Sequence, residues 1–400
     1  MKILHTSDWH LGKILAGKKF VEEQRQFFEN TFFPLLKDIK PDILLITGDI
    51  VDRPNPDTET LFLLKDIFYF LFKQRIPTFI IPGNHDSKKI ILFKDFLKEA
   101  NLIIIENLTY FKEPFIFESK KGEKLYFYLL PYLNLYELKF YLENLWYQEF
   151  YSIFHSKDQV FLRDLINFLI KKIEPRIRKP AILLGHFAVE KGVFTGEETP
   201  LKGIGNEEVL PLEYFKPFDF IFLGHLHRLQ KIDKNVYYSG SILPYSFEES
   251  MCMKGVWLVE IKNGKKIKEE IIPLPPSFKM KIIKGYFKDL ITNFKKDDAY
   301  IKIILKDELP VLDPFNKLKN IFPNLLILEY EKDKKRENLD SFTNFDYFDK
   351  KELKLDEEEL FKKFYKFVEG KEPKDEIINV FKRHVNEIKT NLEKEGRTWQ

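Results

Sequence analysis

Four of five polar motifs in this chain sit just behind a short apolar run of the kind that forms a buried strand, and glycine precedes the polar residue in four of the five. The motifs are Asp8-Trp9-His10, Gly48-Asp49, Gly83-Asn84-His85-Asp86, Gly185-His186 and Gly224-His225-Leu226-His227. Open α/β sheets collect ligand sites outside the carboxyl ends of their strands, so residues far apart in sequence can meet at one edge. Glycine at such a junction lets the backbone turn sharply as it leaves the strand. The spacing predicts a layered α/β (α+β) fold with one polar site at the strand ends.

The first third alternates strand and helix. Strands are predicted over Lys2 to Thr6, Asp42 to Thr47 and Thr78 to Ile81. Phe28, Phe32, Leu35 and Ile39 recur at helical spacing, and a second helix is predicted from Thr58 to about Arg75, with Leu61, Leu64, Phe68 and Leu71 on one face. Later strands over Leu125 to Leu130, Ala181 to Leu184, Phe218 to Leu223, Val236 to Ser239 and Val256 to Ile261 are interrupted by helices near Leu138 to Phe150 and Gln159 to Ile173. Strands in such close succession predict mixed sheets, a two-layer core between helices. Pro273, Pro275 and Pro276 close this core. The expected organisation is a core domain over 1–276, a small β-α-β-α-β capping domain over 277–332, a charged linker over 333–354 and a helical tail over 355–400.

Composition narrows the class without choosing a substrate. Apolar residues make up 44% and charged residues 32%, enough for a large core. Lys plus Arg is 65 against 62 for Asp plus Glu, and a net charge of +3 neither demands nor excludes nucleic acid. The single cysteine, Cys252, permits no internal disulfide and no cysteine-rich zinc site. The segment from Met1 to Asp8 lacks the apolar core of a signal peptide, and no apolar run approaches the ~18–20 residues of a membrane span. A cytoplasmic protein without membrane contact is expected.

The motif residues suit two divalent cations. Two such ions ~3.5–4 Å apart can clamp a phosphodiester and lower the pKa of a bridging water. Mixed imidazole and oxygen donors suit Mn²⁺, Fe or Zn²⁺ better than Ca²⁺ or Mg²⁺. Asp8, His10, Asp49, Asn84, His186, His225 and His227 supply such a set. An ordinary loop explains Asp8-x-His10 or Gly48-Asp49 taken alone. A turn has no need of the histidines in Gly-Asn-His-Asp and Gly-His-x-His. His5, His155 and His384 read as structural or surface residues, and Cys252 as a packing residue.

In order and spacing, these motifs resemble those of the calcineurin-like metallophosphoesterases. Within them, MKILHTSDWHLGK, ITGDIVDRPNP, GNHD, FLGHLHRLQ and YYSGSILPYSFEE (Tyr237 to Glu249) resemble the bacterial nuclease subunits of the double-strand-break repair family. The resemblance implies one metal held by Asp8, His10, Asp49 and His227, and another held by Asp49, Asn84, His186 and His225. It implies His85 as general acid and Asp86 as the carboxylate that orients it. Some relatives carry histidine where this chain has Asp52, so no role for that position is carried over. Further implications are a Mn²⁺-dependent 3′-to-5′ exonuclease on duplex DNA, endonuclease action on single strands and hairpins, and a homodimer within a heterotetramer with an ATPase that has coiled-coil arms. Lys13, Arg53, Ser239 and Ser241 lie beside the motifs and are candidate DNA contacts. Helices Thr58 to Arg75 and Lys88 to Ala100 are candidates for the dimer face or for internal core.

The tail carries apolar residues at helical spacing: Leu360, Phe361, Phe364, Tyr365 and Val368, then Ile377, Ile378, Phe381, Val385 and Ile388. By the resemblance these helices grip the base of the ATPase coiled coil, Leu360, Phe361, Phe364, Tyr365 and Phe381 being the expected contacts. The bland alternative is that the tail packs on the cap. Rival readings for the whole chain are a protein phosphatase or small-molecule phosphodiesterase on the same scaffold, or a non-catalytic DNA-end tether.

Overall fold

Strand residues alternate between two apolar environments, and that alternation sets the layers. The computed structural model describes residues 1–86, 94–119, 121–157, 159–195, 209–293 and 296–331, and in the tail 358–359, 361–362, 365–366, 371–375, 377–383 and 385. It divides into two units, Met1–Glu331 and Lys332–Gln400. One six-stranded sheet runs Lys265–Pro273, Gly255–Lys262, Lys2–Thr6, Ile43–Thr47, Thr78–Ile81, Leu102–Ile104. Its last four strands are parallel, and the first two are antiparallel to their neighbours. The second six-stranded sheet runs Gln230–Asp233, Val236–Tyr238, Phe220–Gly224, Ala181–His186, Lys124–Leu129, Phe115–Glu118. Its four inner strands are parallel and both edges antiparallel.

Along Lys2–Thr6 and Ile43–Thr47, Ile3, Ile43 and Leu45 face the second sheet, where they meet Phe127, Ile182, Leu184 and Phe222. Leu4, Leu44 and Ile46 face the other way, onto Phe28, Phe32, Leu63 and Ile67 of the covering helices. On the far side, Leu183, Leu223 and Tyr238 pack on helices Leu135–Leu145, Tyr147–Phe154 and Leu162–Ile173. The result is helix, sheet, sheet, helix, the expected two-sheet core.

Three local expectations change. Leu61 is not on the buried face of helix Thr58–Gln74; that face is Leu63, Leu64, Ile67 and Leu71, while Leu61 is 48% exposed. The helix expected near Leu138 to Phe150 is two helices, because Trp146 at φ −142°, ψ 52° breaks the ladder between them. The first covering helix contains a π-helical turn over Phe28–Phe32. Both ends of that turn pack edge-on against Trp9, at ring distances of 5.1 and 6.0 Å, and so brace the Asp8-Trp9-His10 loop.

A third, all-parallel sheet of Met280–Gly285, Tyr300–Leu305 and Leu325–Tyr330 occupies the segment expected as a capping domain. Phe278 and Tyr300 close on Phe20, and the Tyr300 hydroxyl donates to Glu23. In the second unit, Phe361 stacks on Phe381 with ring centroids 4.1 Å apart, and Tyr365 lies 6.0 Å from Phe361. Leu360, Phe364, Val368, Ile388, the linker 333–354 and Lys88 of the second candidate dimer helix lie outside the described residues. Among the described residues, no helix is long and apolar enough to cross a membrane.

Candidate metal centre

The five motifs lie at or just past the carboxyl ends of parallel strands Lys2–Thr6, Ile43–Thr47 and Thr78–Ile81 of one sheet and Ala181–His186 and Phe220–Gly224 of the other. The motif glycines are needed for closeness more than for turning. A Cβ at Gly224 would lie 1.8 Å from the Thr47 carbonyl oxygen, and one at Gly83 would lie 2.2 Å from Asp49 Oδ1. Of the motif glycines only Gly48, at φ +91°, uses the left-handed region. The sharp turns fall on the polar residues themselves: Asp8, His10, Asp49 and His225 have φ of 51°, 43°, 51° and 94°. Non-glycine residues are held there only where their surroundings over-determine them.

Those surroundings are hydrogen bonds. Asp8 Oδ1 accepts the His225 amide at 3.0 Å, and Asp49 Oδ1 accepts the His85 amide at 2.9 Å. Gln24, fully buried, donates to the His10 carbonyl at 2.8 Å and accepts from the Gly12 amide at 2.9 Å. Asp49 lies between two groups of histidines, its Oδ2 3.5 Å from His10 Nε2 and 3.4 Å from His186 Nε2. Asp8, His10 and His227 form one cluster able to hold a metal, and Asp8, Asp49 and His186 another. Asn84 Oδ1, 2.9 Å from His186 Nε2, and the His225 ring, 5.4 Å from the His186 ring, lie beside His186.

The lone pairs of this site call for cations. His227 Nδ1 donates to Glu249 Oε1 at 2.9 Å, and His186 Nδ1 donates to the Thr47 carbonyl at 2.8 Å. Each bond turns an Nε2 lone pair inward, to 3.1 Å from His10 Nε2 and 2.9 Å from Asn84 Oδ1. A cation placed between these groups would take both inward lone pairs at once. The titration behaviour agrees. Burial lowers His186, but Asp49 outweighs it and lifts the ring to about 9, so without metal a proton stands in. Burial pushes His10 down to about 4 and His225 to about 3. Burial raises Asp8 to about 6, whereas the facing His186 overcomes the same effect at Asp49 and holds it well below the usual carboxylate range.

His85 and Asp86 are neighbours that do not form the expected pair. His85 Nδ1 sits 2.9 Å from the Asp52 carbonyl oxygen. The Asp86 carboxylate instead accepts the amides of Ile50, Val51 and Gly83 at 2.8, 3.0 and 2.8 Å. It braces the loop that carries Asp49. Ser239 and Ser241 also depart from expectation. Both are fully buried, Ser239 bonded to Ser7 and Ser241 donating to Glu249, so neither is placed to meet a DNA phosphate. Lys13 and Arg53 flank Asp52 at 3.4 and 3.6 Å, and Asp52 also lies 3.4 Å from His10 Nδ1.

Sequence reasoning missed Glu249, Lys254 and Gln24 as supports of the site. Glu249 ends the segment that starts at Tyr237, but nothing in the sequence pairs it with His227. Burial raises its carboxyl, yet the adjacent Lys254 ammonium outweighs that and keeps it ionised.

The calcineurin-like phosphoesterase family model matches residues 1–229, and a second, described as the type 5 capsule protein repressor C-terminal domain, matches residues 277–369. The chain is 31% identical over 402 residues to the D subunit of the SbcCD nuclease of Staphylococcus saprophyticus subsp. saprophyticus, covering 99% of this chain and 100% of that protein. Similar solved structures include the calcineurin-like phosphoesterase YfkN from Bacillus subtilis, at 15% identity and TM-score 0.37, covering 69% of this chain and 91% of that one. Another is TT1561 of Thermus thermophilus, at 12% identity and TM-score 0.39, covering 68% and 99%.

Proposed function

The chain belongs to the calcineurin-like phosphoesterases and, within them, to the SbcD subunits of SbcCD nucleases, and from that premise we propose that it is a Mn²⁺-dependent nuclease acting on DNA ends with an SbcC-type ATPase. It is a metal-dependent phosphodiesterase. The observation that carries the finer reading is Asp49, whose one carboxylate oxygen faces His10 at 3.5 Å and His186 at 3.4 Å. Asp8, His10, Asp49 and His227 would hold one metal; Asp49, Asn84, His186 and His225 would hold the other. When bound, two such cations would supply Lewis-acid polarisation of the phosphodiester and activation of the attacking water. His85, with Nδ1 tied to the Asp52 carbonyl, presents Nε2 as the acid that protonates the leaving oxygen as its bond to phosphorus breaks. Lys13 and Arg53, beside Asp52, are the DNA phosphate contacts.

The reaction pattern is 3′-to-5′ exonuclease action on duplexes and endonuclease action on single strands and hairpins. The working assembly is a homodimer within a heterotetramer. Leu61, Phe62, Tyr69 and Phe72 form an exposed apolar stripe on helix Thr58–Gln74 that suits a second copy of this chain. Residues 277–332 act as the cap and the tail as the ATPase-binding segment. The test compares end-labelled DNA, a phosphopeptide and a cyclic nucleotide as substrates, with Mn²⁺ and with chelator. DNA hydrolysis in Mn²⁺ alone is expected; preference for either other substrate overturns the reading.

A further inference from the structure

The two proposed metal sites differ in what stands behind one histidine of each. His186 leans on a backbone carbonyl, that of Thr47, at 2.8 Å. His227 leans on a carboxylate, Glu249 Oε1, at 2.9 Å. That carboxylate is itself gripped. Its other oxygen accepts from Lys254 Nζ at 2.5 Å, from Ser241 Oγ at 2.7 Å and from the Tyr245 amide at 3.4 Å. Lys254 Nζ also donates to the carbonyl of His227 at 3.2 Å, so one ammonium holds both the carboxylate and the backbone of the histidine it orients. Glu249 is fully buried and Lys254 is 4% exposed.

A buried ion pair is a poor device for stability, because desolvating two charges consumes most of what their attraction returns. Its presence here calls for another role. A carboxylate behind a metal-binding imidazole fixes its tautomer and makes it a stronger donor, and a carbonyl does so less strongly. We propose that Glu249, held by Lys254 and Ser241, is a positioning residue dedicated to the metal bound by Asp8, His10, Asp49 and His227, leaving the other metal untouched. The proposal rests on the two-metal reading of the site. It also gives the segment from Tyr237 to Glu249 a purpose, since that segment folds under one half of the site and supplies its support.

The test is Mn²⁺ titration of the metal-free full-length chain by calorimetry, with electron paramagnetic resonance to distinguish coupled pairs of Mn²⁺ from single ions. Native protein should bind two ions and give a coupled signal. Glu249→Gln should lose about 10–100-fold in affinity for one ion only, with a single-ion signal at intermediate Mn²⁺. Because Glu249→Gln leaves Lys254 without its charge partner, Glu249→Gln with Lys254→Met is measured beside it, and the same one-ion loss is expected. Two unchanged affinities, or equal weakening of both, overturn the proposal. A native chain that binds a single ion instead overturns the two-metal reading itself.

Discussion

His85 Nδ1 meets the backbone carbonyl of Asp52 at 2.9 Å, and its neighbour Asp86 is turned away to bind two amides of the Asp49 loop, Ile50 and Val51, and the Gly83 amide of its own loop. A backbone carbonyl fixes the imidazole without adding charge, and the ring stands beside His10, 4.8 Å between centroids. His85→Gln should therefore keep both metals and bind DNA as the native chain does. Its cleavage rate should fall roughly 10²–10⁴-fold, the usual worth of a general acid. Single-turnover cleavage and metal analysis on one preparation check this; loss of metal with activity would make His85 a ligand.

Gly83 has the tightest contact with the proposed bridging residue. An alanine there places Cβ 2.2 Å from Asp49 Oδ1 and 2.5 Å from the Asp49 amide nitrogen. The carboxylate and its backbone must move, and a displacement of ~1 Å at a reacting centre costs on the order of 10²-fold in rate. Gly83→Ala should lose Mn²⁺ and activity together while remaining folded, as read by metal content and circular dichroism. Full metal occupancy with native activity would show that the close approach is not needed.

His5 gives the fold a pH dependence separate from the metals. Burial between the sheets lowers it from 6.5 to about 3. Between these values the unfolded chain binds a proton that the folded chain does not, so stability falls as pH falls, by about 1.4 kcal/mol per unit from this group. His5→Gln should flatten the acid side of the stability profile by that slope, measured by urea unfolding in chelator between pH 6.5 and 4. Identical slopes for both proteins would contradict it.

The tail prediction concerns Phe361, stacked on Phe381 at 4.1 Å. Phe361→Ala should abolish co-purification with the ATPase, a loss of ~2 kcal/mol or more if the ring is an anchor. Nuclease action on single-stranded DNA should persist. A complex of unchanged affinity would assign the tail to this protein's own fold.

How much of the site is legible in the sequence follows from physical locality. The proposed metal ligands are chemistry-bearing residues next to strand ends, so the sequence motifs already point to the residues that the fold gathers, Asp8, His10, Asp49, His186 and His227 among them. Trp9 and Gln24, both buried, brace the same loop through contacts that no local pattern encodes. The edge strand Lys265–Pro273 escaped notice because its Lys and Glu residues protect an exposed edge and hide the apolar alternation. Asp86 follows His85 in sequence yet serves Ile50 and Val51 in space. Glu249 and His227 are 22 residues apart, and only the fold pairs them.

The most direct measurement is release of label from an end-labelled DNA duplex by the native chain and by Asp49→Ala, each with Mn²⁺ and with chelator, alongside bound-metal content. The native chain should cleave only with Mn²⁺ and carry two ions. Asp49→Ala should lose both ions and all cleavage, since its carboxylate faces His10 and His186 alike and is the proposed bridge. Cleavage in chelator, or two ions retained by Asp49→Ala, would contradict the two-metal account.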